Sequence, residues 1–149
     1  MNLLARDVKA YADVMKIGTP DFYKWCDVVL CVPFTSITAA VRAFRNSRIN
    51  VGAQNISQYE SGAYTGEISA LQVKDIGAKY VIIGHSERRE HFAETDEMIN
   101  TKIVRALENS LRPIVCVGES IAQRERGVTD DILAAQVKLA LSGIERSDG

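Results

Sequence analysis

The sequence predicts an α/β protein in which helices cover a parallel sheet. Its short apolar runs are continuous rather than alternating, which indicates strands buried on both faces. Amphipathic segments with helical periodicity lie between these runs, so strands and helices alternate along the chain. The runs that begin at Ile49, Tyr80 and Arg112 start roughly 30 residues apart, which is the size of one β-α unit.

An amphipathic segment opens the chain, and two β-α units follow it. The first strand is predicted at 28–33, and Thr35 is the expected N-cap of the helix after it. The second strand is predicted at 49–55 and leads through a Gly-containing loop to a helix. That helix begins with Ser69 and Gln72 at the spacing of a capping box. The buried positions expected for the first of these helices are Ile37, Val41 and Phe44.

Two further units complete the pattern. The third strand is predicted at 80–84 and the fourth at 112–118. The helix between them is expected to begin near Thr95, and Gly143 is expected to end the last helix. The apolar positions of these two helices are Ile99, Ile103 and Leu107 in one, and Leu133, Val137 and Leu141 in the other.

The order of elements fits either a doubly wound open sheet or a (β/α)8 barrel, and periodicity does not choose between them. Neither G-x-G-x-x-G nor G-x-x-x-x-G-K-[ST] follows a strand. A closed barrel needs eight strands and roughly 250 residues, so four strands form part of one. In an open barrel, the side chains of Val51, Ile82 and Val115 are expected to face water as one apolar patch. Tyr23 and Trp25 are expected to cover the sheet edge near Phe22.

The composition of the chain limits the kinds of function that it can have. The 149 residues, expected to form one domain over 1–149, carry 18 lysines and arginines against 19 acids. That balance argues against nucleic acid or a membrane surface as a partner. No apolar run approaches the roughly 20 residues that span a bilayer. The three cysteines, Cys26, Cys31 and Cys116, form no C-x-x-C pair, so we expect reduced thiols in a cytoplasmic protein.

The stretch "YVIIGHSERREHF" at residues 80 to 92 is the main candidate for chemistry. His85 follows a buried strand, on the edge where parallel barrels keep their active sites. Ser86 is the expected cap of a short helix with Glu87 in its first turn, and the positive helix end disfavours an imidazolium. The alternative is a hydrogen-bonded core histidine. His91 lies in a charged segment without partners at metal spacing, so no metal site is expected.

Three stretches together resemble one family. "YVIIGHSERR" is similar to the segment around the catalytic histidine of the triose-phosphate isomerase family. "VGAQNISQYESGAYTGEIS" resembles that family's third strand and interface loop, and "PIVCVGES" resembles its fifth strand. The resemblance runs along nearly the whole chain. It implies a partial (β/α)8 TIM barrel of four parallel strands, a phosphorylated triose as substrate, and no cofactor.

The resemblance also implies roles for single residues. His85 matches the histidine that polarises the substrate carbonyl, and Glu87 matches the glutamate beside it. Arg88 resembles an arginine that supports the interface loop. Thr65 resembles the residue that this loop inserts near the neighbouring subunit, which implies a homodimer. The family's first-strand lysine and sixth-strand glutamate have no match, so substrate-binding residues are expected outside these residues.

Three functions therefore compete. The leading one is an isomerase present here as a partial chain, inactive by itself. The second is a fragment or interaction module that keeps the barrel pattern without catalysis. The third is another phosphate-handling barrel enzyme, which would need a different residue than His85 at this strand end.

Overall fold

The computed structural model describes residues 4–18 and 25–145, with the backbone alone described at 17 and 18. The strands are β1 (Val29–Val32), β2 (Asn50–Ala53), β3 (Tyr80–Ile83) and β4 (Arg112–Val115). The α-helices are α1 (Val8–Gly18), α2 (Ile37–Phe44), α3 (Ala70–Asp75), α4 (Ser86–His91), α5 (Asp96–Glu108), α6 (Ile121–Glu125) and α7 (Thr129–Ala140). Short 3-10 turns, Ala5–Asp7 and Phe34–Ser36, precede α1 and α2.

The four strands form one parallel sheet in chain order, β1-β2-β3-β4. Val29 pairs with Asn50, Gly52 with Tyr80, and Tyr80 with Arg112. The predicted fold class, a partial (β/α)8 barrel with four parallel strands, is confirmed. Each observed strand is shorter than its predicted run, because the residues at the ends of the runs belong to turns and to the connections with the helices.

The two faces of the sheet differ sharply in burial. Alternate side chains such as Val51, Val81 and Ile83 pack beneath the helices and are buried. The opposite face carries Ile82 and Ile114, and Ile114 is 38% exposed. The expectation that Val51 and Val115 face water was therefore wrong, since the register places both on the helix-covered face and only Ile82 of the three on the other.

Helix α5 shows how a predicted helix differs in detail. Thr95 caps it as expected, and its hydroxyl accepts a hydrogen bond from the N–H of Met98. Ala106 is fully buried while Leu107 is 45% exposed. The last buried position of the helix is therefore Ala106 and not the predicted Leu107. Ile99, Lys102, Ile103 and Ala106 make up that face. Lys102 is a charged member that the apolar pattern did not anticipate.

Three other expectations were wrong. The segment after β1 begins with a 3-10 turn, in which the carbonyl of Pro33 accepts from the N–H of Ser36, so Thr35 does not cap α2. Helix α7 packs through Ala140 and leaves Val137 and Leu141 exposed. Trp25 is 88% exposed and covers no sheet edge. Phe22 and Tyr23 lie outside the described residues. Over those residues, no helix combines the length and apolarity needed to cross a membrane.

The polypeptide 1–149 is expected to self-associate. Within the described ranges, β1 and β4 each pair on one side only, and the face with Ile114 is uncovered. Light scattering across a concentration series should give a mass that rises above 16.4 kDa. Ile114→Lys should weaken this rise, whereas Val14→Lys, at an exposed position on α1, should not. A constant monomer mass would show that these edges do not mediate association.

Candidate active site

His85 lies immediately beyond the carboxyl end of β3, where Gly84 turns the chain with a φ of 77°. It occupies the N-cap position of α4, and its Nδ1 accepts a hydrogen bond from the N–H of Glu87 at 3.3 Å. The predicted cap, Ser86, is instead the first helical residue. The imidazole replaces it because a ring nitrogen can accept the same orphan N–H that a serine hydroxyl would.

This cap determines which nitrogen of His85 carries the proton. An acceptor at Nδ1 requires a lone pair, so the hydrogen-bond network assigns the proton of the neutral ring to Nε2. The Glu87 carboxylate lies 3.8 Å from Nδ1, yet an ion pair would need a proton there, facing the Glu87 N–H. That carboxylate is 76% exposed, and such pairs contribute only about 0–1 kcal/mol. In the neutral ring, the cap therefore favours the tautomer with an Nε2–H donor.

Gly84 is required by both its conformation and its surroundings. A Cβ at this position would lie 2.9 Å from Cδ1 of Ile99 and 3.1 Å from the carbonyl oxygen of Cys116. The positive φ adds strain for any other residue. The turn that presents His85 is therefore specified by a glycine packed between α5 and the end of β4.

Gly84→Ala is expected to lower the free energy of unfolding by roughly 2–5 kcal/mol. The left-handed backbone accounts for about 1–2 kcal/mol and overpacking for about 1–3 kcal/mol. Gly127→Ala is the matched control, because Gly127 has a φ of 71° with open space around it. In urea denaturation, Gly127→Ala should lose only the part of the free energy of unfolding that comes from the left-handed backbone. Equal losses for the two variants would mean that the packing around Gly84 is not tight.

A buried polar network lies beside this turn. Glu94, with its side chain 1% exposed, accepts from Nε of Arg88 at 2.5 Å and from Nζ of Lys102. Lys102 also donates to Oδ1 of Asn55 at 2.8 Å. The network thus joins the end of β2, α4 and α5. Ala93, with a φ of 51°, turns the chain immediately before Glu94.

Burial and pairing act in opposite directions within this network. Burial would raise the pKa of Glu94, but hydrogen bonds from Lys102 and Arg88 outweigh it, so the pKa lies below its usual value. Burial lowers the pKa of Lys102, and the bond to Glu94 offsets only part of that effect. We infer an ionised Glu94 held between two cations at neutral pH.

The thiols near this edge are not suited to nucleophilic catalysis. Burial, and then the neighbouring Cys116, raise the pKa of Cys31 to about 11. Burial also raises the pKa of Cys116, although the charge of Arg89 partly opposes this. Both thiols therefore stay protonated near pH 7 and are weak nucleophiles.

Other polar residues, including the predicted Thr65 and Arg88, lie at the same end of the sheet or on its loops. Asn55 follows β2, and Glu119 follows β4, where it accepts from Nε of Arg124 at 2.7 Å. Thr65 is exposed on the connection between β2 and α3. Stacking of Tyr59 on Tyr64, with ring centroids 3.7 Å apart, helps to order that connection. Arg88 takes part in the Glu94 network and lies over the ring of Phe92.

Comparison with known proteins shows which family the chain is similar to. The family model described as Triosephosphate isomerase matches residues 1–148. The triosephosphate isomerase of Caldanaerobacter subterraneus subsp. tengcongensis is 51% identical over 122 residues, which cover 82% of this chain and 49% of that protein. The Dictyoglomus thermophilum triosephosphate isomerase is 48% identical over 126 residues, with coverages of 85% and 51%.

A solved structure agrees with these sequence relatives. The crystal structure of triosephosphate isomerase from Bartonella henselae superposes with a TM-score of 0.85 at 32% identity. The matched region covers 97% of this chain and 59% of the Bartonella henselae chain. The chain spans about half the length of the curated relatives that it matches. The chain belongs to the triosephosphate isomerase family.

Proposed function

We propose that the chain carries the carbonyl-polarising part of a triosephosphate isomerase site. The reaction interconverts dihydroxyacetone phosphate and D-glyceraldehyde 3-phosphate, as a step of glycolysis and gluconeogenesis. The observation that carries the proposal is the cap at His85, where Nδ1 accepts from the N–H of Glu87. That bond leaves Nε2–H free to donate at the strand edge where parallel barrels bind substrate.

The chemistry needs such a donor. A proton leaves one carbon of the triose and returns to its neighbour, so negative charge develops on the substrate oxygens. A neutral imidazole can stabilise that oxygen by donating from Nε2 and can pass a proton between the two oxygens. Glu87 assists by holding the ring through its backbone N–H. In the family resemblance, removal of the carbon-bound proton belongs to a sixth-strand glutamate, which no residue of 1–149 matches.

The experiment requires what we call the completed chain: residues 1–149 joined to the strands that the resemblance predicts before and after them. It should interconvert the two triose phosphates in a coupled assay, while 1–149 alone should not. A folded completed chain without isomerase activity would reject the proposal and favour a non-catalytic interaction module. Turnover by purified 1–149 would contradict our assignment of the base.

We also propose that the completed chain is a cytoplasmic homodimer, with exposed Thr65 inserted toward the partner and Arg88 supporting that loop through the Glu94 network. Thr65 and its neighbours at 60–67 are exposed, as a contact with a partner requires. Thr65→Arg should shift the sedimentation of the completed chain from dimer to monomer. A Thr65→Arg variant that remains dimeric would place the interface elsewhere. Recovery of the protein outside the cytoplasm of its source cells would refute the proposed location.

A further inference from the structure

Arg89 is the residue of α4 that holds the turn before His85. It follows His85 by one helical turn, and its side chain is only 19% exposed. Its Nε donates to the carbonyl oxygen of Gly84 at 2.9 Å, and Nη2 lies 3.3 Å from the carbonyl oxygen of Cys116. Nη1 donates to Oδ1 of Asp96 at 2.7 Å. One planar guanidinium thus joins the turn after β3, the end of β4 and the start of α5.

The three partners restrict motions that would reorient the imidazole. The carbonyl of Gly84 belongs to the peptide that leads into His85, so a bond to it limits rotation of that peptide. Arg89 Nη2 would also lie 3.3 Å from a Cβ at Gly84, which shows how closely the guanidinium packs on the turn. The backbone N–H of Arg89 lies 3.2 Å from the carbonyl of His85 and bonds to it. Arg89 therefore contacts the chain on both sides of the imidazole.

The cap at His85 depends on this restraint. The Nδ1 to Glu87 nitrogen distance of 3.3 Å is long for a hydrogen bond, so a small rotation at Gly84 would break it. Lysine at position 89 keeps the charge but has no planar fork, so it cannot reach three acceptors in this arrangement. Arg88 is directed elsewhere, to Glu94.

We propose that Arg89 is a positioning residue for His85, which keeps Nδ1 on the Glu87 N–H and thereby directs Nε2–H to the substrate side. This inference rests on the proposed function, because the direction of Nε2–H matters only if His85 acts on substrate. A residue that merely stabilised the fold would alter the free energy of unfolding and leave the ring tautomer unchanged.

The test is the tautomer of His85 in 15N-labelled 1–149 at pH 8, read from long-range 1H–15N spectra in dilute solution. The unsubstituted chain should show an unprotonated Nδ1 and a protonated Nε2. In Arg89→Lys the two nitrogen shifts should converge as the tautomers mix. The amide of Glu87 should exchange with solvent about tenfold faster, as expected for the loss of one hydrogen bond. Arg105→Lys is the control, because half-buried Arg105 donates to Glu108 on α5, away from this turn.

A folded Arg89→Lys chain with unchanged His85 shifts would overturn the proposal. If Arg89→Lys does not fold, Asp96→Asn provides the test instead. It keeps the guanidinium of Arg89 and weakens only the interaction between Nη1 and residue 96. It should move the shifts in the same direction by a smaller amount, and no movement would equally overturn the proposal. These readings do not involve turnover, so they fail independently of the proposed function, which activity measurements test.

Discussion

Replacing His85 with glutamine in the completed chain is expected to lower kcat by about 10²–10⁴-fold, the usual contribution of one acid–base group. An amide can still donate a hydrogen bond to the substrate oxygen, but it cannot transfer a proton between the two oxygens. KM should change much less, because the groups that grip the phosphate are expected on other strands. Steady-state kinetics with dihydroxyacetone phosphate at pH 7.5 would measure both constants.

The control uses the other histidine of the chain. His91 is exposed at the last position of α4, and His91→Gln should change kcat by less than about twofold. Similar losses for the two variants would indicate that the activity responds to damage of α4 rather than to the His85 ring. Full activity of His85→Gln would remove His85 from the mechanism.

Replacing Glu94 with glutamine is expected to lower the free energy of unfolding at pH 7 by about 3–5 kcal/mol. The substitution leaves Lys102, whose side chain is 4% exposed, without its buried counter-charge, and it removes the charged acceptor of Arg88. Removing one partner of a buried pair costs more than the pair contributes, since an uncompensated charge remains in the interior. Urea denaturation of 1–149 at one protein concentration would measure the loss.

Exposed Glu108 supplies the matched control, because it pairs with Arg105 on the surface of α5 and Glu108→Gln should cost no more than about 1 kcal/mol. The effect also has a pH signature. The folded-state pKa of Glu94 lies below the ordinary glutamate value of 4.5, so its contribution to stability is present above about pH 4.5 and is lost as the pH falls through the folded-state pKa. The gap between wild type and Glu94→Gln should therefore shrink in acid. A gap that stays constant to pH 3 would contradict an ionised Glu94.

Local sequence patterns predicted the sheet well. Buried β-branched runs predicted four strands, and alternation with helices predicted their parallel order. The capping box of Ser69 and Gln72 formed as expected, because both of its hydrogen bonds lie within four residues. His85 was found through its place at a strand end and through family resemblance.

The parts that were missed depend on contacts distant in sequence. Lys102 lies 47 residues from Asn55, and the "AETDE" segment around Glu94 has the composition of a solvated turn. One clue was present: Lys102 is three residues after Ile99 and so falls on the buried face of α5. The sequence analysis also missed that His85 is the N-cap of α4, because serine is the more common N-cap residue and Ser86 is adjacent.

The most direct test of the central claim is the tautomer of His85 in the unsubstituted 1–149 chain at pH 8. The claim is that the fold presents His85 as an Nε2–H donor by fixing Nδ1 as the acceptor of the Glu87 N–H. Long-range 1H–15N spectra should then show the ring proton on Nε2 and a coupling between the Glu87 amide and Nδ1 across the hydrogen bond. Neither result should change when Ser86 is replaced with alanine. A proton found on Nδ1 would contradict the claim, because Nε2 would then be an acceptor and could not donate to a substrate carbonyl.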